Sequence, residues 1–113
     1  MKDFMRPDNC AKKLRALADP DRLRIIRVLL DGAKNVGEIA DALGVPQVNV
    51  SHHLGVLRNS KLLETERRGR FIFYRLPAAV YRPDAGAEKT EYLALGCCRL
   101  EIPKSVALTA RRK

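Results

Sequence analysis

The stretch "EIADALGVPQVNVSHHLGVLRNSKLLETERRGRFIFYRL", residues 38–76, changes its hydrophobic period once along its length. Its first half carries apolar residues at helical spacing, and Gly44 and Pro46 divide that half into two helices. The second of these helices buries an apolar stripe of Val50, Leu54 and Leu57. Two short helices joined through a glycine-containing turn are typical of a helix-turn-helix.

The second half of the stretch, "ETERRGRFIFYRL", is rich in strand-forming residues on both sides of Gly69, which predicts a β-hairpin. A helix-turn-helix followed by a hairpin is a winged helix. The sequence therefore predicts an α+β, mainly helical fold, a winged helix-turn-helix whose wing is the hairpin, with residues 1–76 forming the DNA-binding domain. Residues 77–113 form a C-terminal extension, in which "YLALGCCRLEIP" alternates as a strand with an irregularity at Gly96 and Cys97.

Two further helices are predicted upstream of the helix-turn-helix. One runs from Cys10 to Ala18, with Leu14, Leu17 and Ala18 on its inner side. The next begins at Asp19-Pro20-Asp21, where Asp19 is the N-cap and Pro20 the first helical residue. Its inner positions are Leu23, Ile26 and Leu30, and Gly32 ends it.

The charge of the chain limits the classes of partner. Its 113 residues carry a net charge of +9, which favours a polyanion, with nucleic acid ahead of a membrane surface. No apolar run is long enough to span a bilayer and no signal peptide is evident, so we expect a cytoplasmic protein. Three cysteines in that compartment are expected to be thiols rather than a disulfide framework.

The two adjacent histidines lie in the second helix of the helix-turn-helix, and they decide how its surface is interpreted. With the apolar stripe facing the core, His52 turns outward and His53 lies nearer the core, where a partly buried histidine with a backbone partner is expected. A metal site at the pair is disfavoured, because adjacent helical residues point about 100° apart and the sequence has no third histidine. The outward residues predicted to contact DNA are Gln47, Asn49, Ser51, His52 and Arg58.

The tip of the wing is basic. Arg67, Arg68 and Arg70 surround its glycine and are predicted to enter a minor groove or contact phosphates. The alternative is a solvated charged turn. The rival to DNA binding is a winged helix used only for protein contacts.

Three blocks, "ALADPDRLRIIRVLLDG", the SHHL of the second helix and the RGR of the wing, resemble the ArsR/SmtB family of small winged-helix repressors. The resemblance covers about Ala11 to Leu76. It implies a cytoplasmic homodimer that binds a palindromic operator and is released by an inducer, usually a metal ion, metalloid or thiol oxidant. It also implies that the first helix packs at the dimer interface near the C-terminal segment.

The chain departs from this family pattern at two places. The paired cysteines of the family's best-known metal box are replaced by Asn35 and Gly37, so that sensor site is expected to be absent. The family's C-terminal dimer helix and its zinc site of Asp, His and Glu are also in doubt, because the segment after Leu76 is rich in proline and contains no histidine.

The cysteines offer a different sensor. Cys97 and Cys98, completed by Cys10, form a predicted soft site for As(III), Sb(III) or another thiophilic ion, since three sulfurs suit a pyramidal metalloid. The alternatives are a thiol-oxidation or persulfide switch, structural cysteines in a repressor without a ligand, and thiol–disulfide catalysis by Cys97 with Cys98 resolving. The chain is predicted not to be an enzyme and to require no cofactor, because it shows no cofactor loop and leaves little room for a catalytic cleft.

Overall fold

The computed structural model describes residues 7–83 and 90–103. The helices are α1 (Pro7–Leu17), α2 (Pro20–Leu29), α3 (Val36–Leu43) and α4 (Gln47–Asn59). The strands are β1 (Lys34–Asn35), β2 (Glu64–Arg68), β3 (Phe71–Arg75), β4 (Tyr81–Pro83), β5 (Thr90–Ala94) and β6 (Arg99–Pro103). Within these ranges no helix is both long enough and apolar enough to cross a membrane.

The start of α2 is set by Asp19, as its sequence predicts. The side chain of Asp19 accepts hydrogen bonds from the backbone N–H groups of Asp21 at 2.8 Å and Arg22 at 3.1 Å, and Pro20 occupies the first turn. Burial of the carboxylate opposes its ionisation, but the two N–H donors and the nearby positive charges of His53 and Arg22 together hold the pKa of Asp19 below its ordinary value. The cap therefore stabilises the charged form.

Replacing this cap has a modest expected effect. Asp19→Ala should lower the free energy of unfolding at neutral pH by about 1 kcal/mol, measured by urea denaturation. Because the folded pKa is depressed, the difference from wild type should persist above about pH 4 and shrink as the pH falls further. Asp41→Ala, which changes an exposed carboxylate in α3, is the matched control. Equal losses in both variants would contradict the capping role.

The first residues of α3 form a capping box. Asn35 Oδ1 accepts from the N–H of Glu38 at 2.9 Å, and Glu38 Oε1 accepts from the N–H of Asn35 at 3.0 Å. Asn35, which stands where the family's metal box has a cysteine, is thus a helix cap. The helix ends at Gly44, whose φ of 69° is the left-handed conformation that glycine adopts without strain.

Two antiparallel sheets follow the helices. In the first sheet the strand order is β1-β3-β2, and β2 and β3 form the wing, with Arg68 opposite Phe71 at its tip. In the second sheet the order is β4-β5-β6. The predicted winged helix-turn-helix with additional C-terminal strands is confirmed.

The core joins all four helices to both sheets. The residues with no exposed surface include Ile25, Ile26, Ile39, Val50, Leu54, Leu57, Leu62 and Leu93. Three residues expected to face inward are exposed: Leu14 at 45%, Leu23 at 41%, and Ala18, which lies beyond the end of α1. The buried face of α2 is instead Ile25, Ile26, Val28 and Leu29, which rotates Leu23 toward solvent.

The C-terminal segment is a hairpin rather than one strand with an irregularity. The chain reverses between β5 and β6, where Gly96 has a φ of 101° and the N–H of Leu95 donates to the carbonyl of Cys98 at 2.9 Å. Apolar residues alternate with other residues in the strand before the turn and again in the strand after it, and Leu93 pairs with Leu100 across the hairpin. The described part of the extension contains strands where the family has its dimer helix.

Candidate functional site

The outer face of α4 is polar in its first two turns. Gln47, Asn49, Ser51 and His52 are all exposed there, while Val50, Leu54 and Leu57 are fully buried. Arg58 is also exposed, but it lies in the last turn, about 16 Å along the helix axis from Gln47. The helix therefore presents mainly polar side chains at its N-terminal end, with the exposed Val48 among them, and a separate cation at its C-terminal end.

His53 does not belong to this surface. Its side chain is 15% exposed, and its Nδ1 lies 3.0 Å from Nη1 of Arg22. A guanidinium can only donate, so Nδ1 accepts, and the ring proton of the neutral imidazole lies on Nε2, 4.0 Å from the Asp21 carboxylate. The expected partly buried histidine is present, but its partners are side chains of α2 and not the backbone.

Arg22 is a residue that the sequence reasoning missed. Besides contacting His53, it donates from Nε to the carbonyl of Ala16 at the end of α1. One side chain thus joins α1, α2 and α4. Ligand atoms of Asp19, Asp21 and His53 lie within 4.8 Å of one another, but the guanidinium already occupies one ring nitrogen and Asp19 is engaged as the cap. The arrangement is that of a structural network.

The three wing arginines differ in their surroundings. Arg68 lies 4.4 Å from the centroid of the Phe73 ring and 3.2 Å from Glu66, whose pKa is lowered mainly by the hydrogen bond from Arg68. Arg67 donates to the carbonyl of Gly69 at 3.3 Å. Within the described ranges Arg70 has no ion pair, and it is exposed beside the turn. Arg70 is therefore the wing cation most available to a partner.

The three cysteines form a cluster between α1 and the turn that joins β5 to β6. Cys10 is buried in α1, whereas Cys97 and Cys98 are exposed in the turn between β5 and β6. Their sulfur atoms all lie within 4.8 Å of one another, and Sγ of Cys98 is 3.8 Å from Sγ of Cys10. Cys10 and Cys97 are joined as a disulfide, with their Cα atoms 5.9 Å apart, and Cys98 is free.

This geometry changes two expectations. The cysteines were predicted to be thiols, but the structure pairs Cys10 with Cys97, because the turn brings Cys97 against the first helix. A straight strand would also point Cys97 and Cys98 to opposite faces. The turn removes that obstacle, and both sulfurs approach Cys10.

An open cavity of about 760 Å³ lies beside the cysteine cluster. Its walls include Lys13 of α1, Lys61, which follows the C-cap of α4, and Arg99 of the C-terminal hairpin. Arg99 stacks over the ring of Tyr92 at 4.2 Å. The cavity thus extends from the cysteine cluster to Lys61, just beyond the C-terminal end of α4, whereas the polar residues of that helix lie at its N-terminal end.

The known proteins that this chain resembles are bacterial transcription regulators. The model of the protein family described as "Bacterial regulatory protein, arsR family" matches residues 19–65. A "Biofilm growth-associated repressor" of Xylella fastidiosa is 40% identical over 74 residues, which are 66% of this chain and 65% of that protein. This chain therefore spans less than two thirds of the length of that relative.

Two solved structures extend the comparison. A "homodimeric winged helix-turn-helix DNA-binding domain" from Mycobacterium bovis is 35% identical, with a TM-score of 0.59 over 61% of this chain and 64% of that one. A "possible transcriptional regulator for arsenical resistance" is 31% identical, with a TM-score of 0.57 over 59% of this chain and 70% of that one. The matched proteins are transcription regulators, so the catalytic alternative is set aside. The chain belongs to the ArsR family of bacterial regulatory proteins.

Proposed function

We propose that the protein is a transcriptional repressor that binds operator DNA through the polar face of α4 and the basic wing. The observation that carries the proposal is the exposed set of Gln47, Asn49, Ser51 and His52 in the first two turns of α4. Amide side chains suit the paired donor and acceptor of adenine, and serine and histidine reach bases or phosphates. The net charge of +9 supports a nucleic-acid partner.

We propose further that the active form is a homodimer. The resemblance to the family implies that α1 packs at the dimer interface, and Leu14 of α1 is 45% exposed, so a second copy could cover it. The Mycobacterium bovis neighbour is homodimeric, which supports the same arrangement here. Two recognition helices in a symmetric dimer read half-sites about 34 Å apart.

Selection from a random pool of DNA duplexes tests the function. Repeated rounds with the reduced protein should enrich a palindrome whose half-site centres are about one helical turn apart. Changing Gln47 or Asn49 to alanine should alter the enriched sequence and not merely weaken binding. A pool that stays random after selection would contradict the repressor proposal.

Substitution of the wing arginines should have a smaller effect on DNA binding. Arg70→Ala should weaken binding to all DNA sequences and lower the slope of log K against log salt by about one per wing. Arg68→Ala should have less effect, because Glu66 and Phe73 already engage its guanidinium. Fluorescence anisotropy at several salt concentrations measures both slopes. If Arg68→Ala flattens the slope more than Arg70→Ala, the assignment of the wing contact is wrong.

We propose that the cysteine cluster senses a thiophilic metalloid in the reduced protein. The three sulfur atoms lie within 4.8 Å of one another, and reduction of the disulfide between Cys10 and Cys97 makes all three of them thiols, the number of sulfurs that As(III) or Sb(III) takes in a pyramidal site. Binding of arsenous acid, As(OH)₃, forms three As–S bonds and releases three water molecules, so the charge of the site does not change. The similarity to the "possible transcriptional regulator for arsenical resistance" supports this choice.

A second sensor is favoured by one specific observation, the disulfide between Cys10 and Cys97. In this alternative, peroxide oxidises the two thiols to the disulfide and is itself reduced to water. The disulfide then ties α1 to the C-terminal hairpin. Both sensors use Cys10 and Cys97, and they differ in whether Cys98 is needed.

The cavity suggests how either event reaches DNA. Lys13, Lys61 and Arg99 line it, and they come from α1, the end of α4 and the C-terminal hairpin. A ligand that draws the three sulfurs together shifts the C-terminal hairpin of β5 and β6 against α1. This shift alters the wall of the cavity next to the end of α4. We infer that this movement changes the separation of the two recognition helices in the dimer.

A further inference from the structure

Val48 stands out among the apolar side chains of the protein. It is 74% exposed, more than any other large apolar residue in the described ranges. A single exposed valine on an ordinary surface needs no explanation. Val48, however, lies in the first turn of α4 between Gln47 and Asn49, on the surface that we propose contacts DNA.

The chemistry of the major groove limits what such a side chain can contact. Val48, Ser51 and His52 follow the i, i+3, i+4 spacing that places residues on one side of a helix. N-terminal residues of a recognition helix face the edges of the bases. Hydrogen-bonding atoms dominate those edges, and the apolar group they present is the C5-methyl of thymine. Valine has no donor or acceptor, and its two methyl groups can pack against that methyl.

We propose that Val48 contacts the C5-methyl group of one thymine in each half-site and so specifies a T·A pair at that position. The inference rests on the proposed DNA-binding function and adds a specificity residue to it. The contact removes the exposed valine and the thymine methyl from water together, which stabilises the complex. A base pair without the methyl at this position is bound less tightly.

Replacement of thymine by deoxyuridine, which removes only the methyl, tests the contact. Each thymine of the selected operator is replaced in turn, in both half-sites, and binding is measured by anisotropy. For the wild type, one position should lower the affinity about fourfold per half-site, or roughly fifteenfold for the dimer. Val48→Ala should bind the thymine and deoxyuridine duplexes equally at that position. Val48→Ile, which keeps a branched apolar side chain, should retain the discrimination.

Two outcomes overturn the inference while leaving DNA binding intact. In one, the wild type binds every substituted duplex as tightly as the thymine duplex. In the other, the loss persists in Val48→Ala, which means that another residue contacts the methyl. If selection enriches no sequence, the proposed function fails and this inference fails with it. Because Val48 is exposed, its substitution should leave the unfolding midpoint unchanged, and a urea titration checks this.

Discussion

Cys98→Ser is expected to weaken strongly the release of operator DNA by arsenite while leaving the response to peroxide intact. The serine removes one of three sulfurs from the cluster, so the arsenite concentration at half-release should rise by more than about tenfold. The disulfide between Cys10 and Cys97 does not involve Cys98 and should still form. Anisotropy of a labelled operator, followed during separate arsenite and peroxide titrations of the reduced protein, measures both responses.

Two further variants complete this experiment. Cys97→Ser should lose both responses, because Cys97 belongs to the metalloid site and to the disulfide. The double variant Cys97→Ser/Cys98→Ser should behave in the same way. If either Cys98→Ser or the double variant releases DNA at the same arsenite concentration as the parent, the cysteine cluster is not the metalloid sensor. If peroxide has no effect on the wild type, the oxidation switch is wrong.

Leu14→Glu is expected to convert the proposed dimer to a monomer and to lower operator affinity by about a hundredfold or more. A charged side chain at the proposed interface leaves a carboxylate without a partner when two copies associate. A monomer contacts one half-site at a time and loses the gain that comes from joining two binding modules. Sedimentation equilibrium measures the assembly, and anisotropy measures the affinity.

The exposure of Leu14 makes this test interpretable. Since the side chain is 45% exposed in the single chain, the substitution should not disturb the core, and circular dichroism should show unchanged helix content. Leu14→Met keeps an apolar side chain of similar size and should remain dimeric. A folded Leu14→Glu protein that is still dimeric would place the interface elsewhere.

Much of the fold was predictable because its signals are local. Asp19 and Pro20 begin α2, and Gly44 ends α3, through hydrogen bonds and backbone angles that involve a few neighbouring residues. The stripe of Val50, Leu54 and Leu57 fixes which side of α4 is buried. The same stripe leaves Gln47, Asn49, Ser51 and His52 exposed, and their contact with DNA remains a prediction.

Other features depend on which elements meet, and sequence spacing does not determine that. Leu14 and Leu23 stand at helical spacing from other apolar residues, which predicts that they face inward, but the packing of α1 and α2 leaves both exposed. The hairpin at Gly96 looked like a continuous strand, because the alternation of apolar residues resumes after the turn. Cys10 and Cys97 are separated by 87 positions in sequence, and the count of three cysteines gave no sign of which two would pair.

The most direct test of the proposed function compares two DNA duplexes of the same length. One carries the selected palindrome and the other a scrambled sequence of identical composition, and the reduced protein is titrated into each at physiological salt. A specific repressor should bind the palindrome at least about a thousandfold more tightly, with both affinities falling as salt increases. Equal affinities for the two duplexes would contradict sequence-specific repression, and the absence of any salt-dependent binding would contradict the assignment of DNA as the partner.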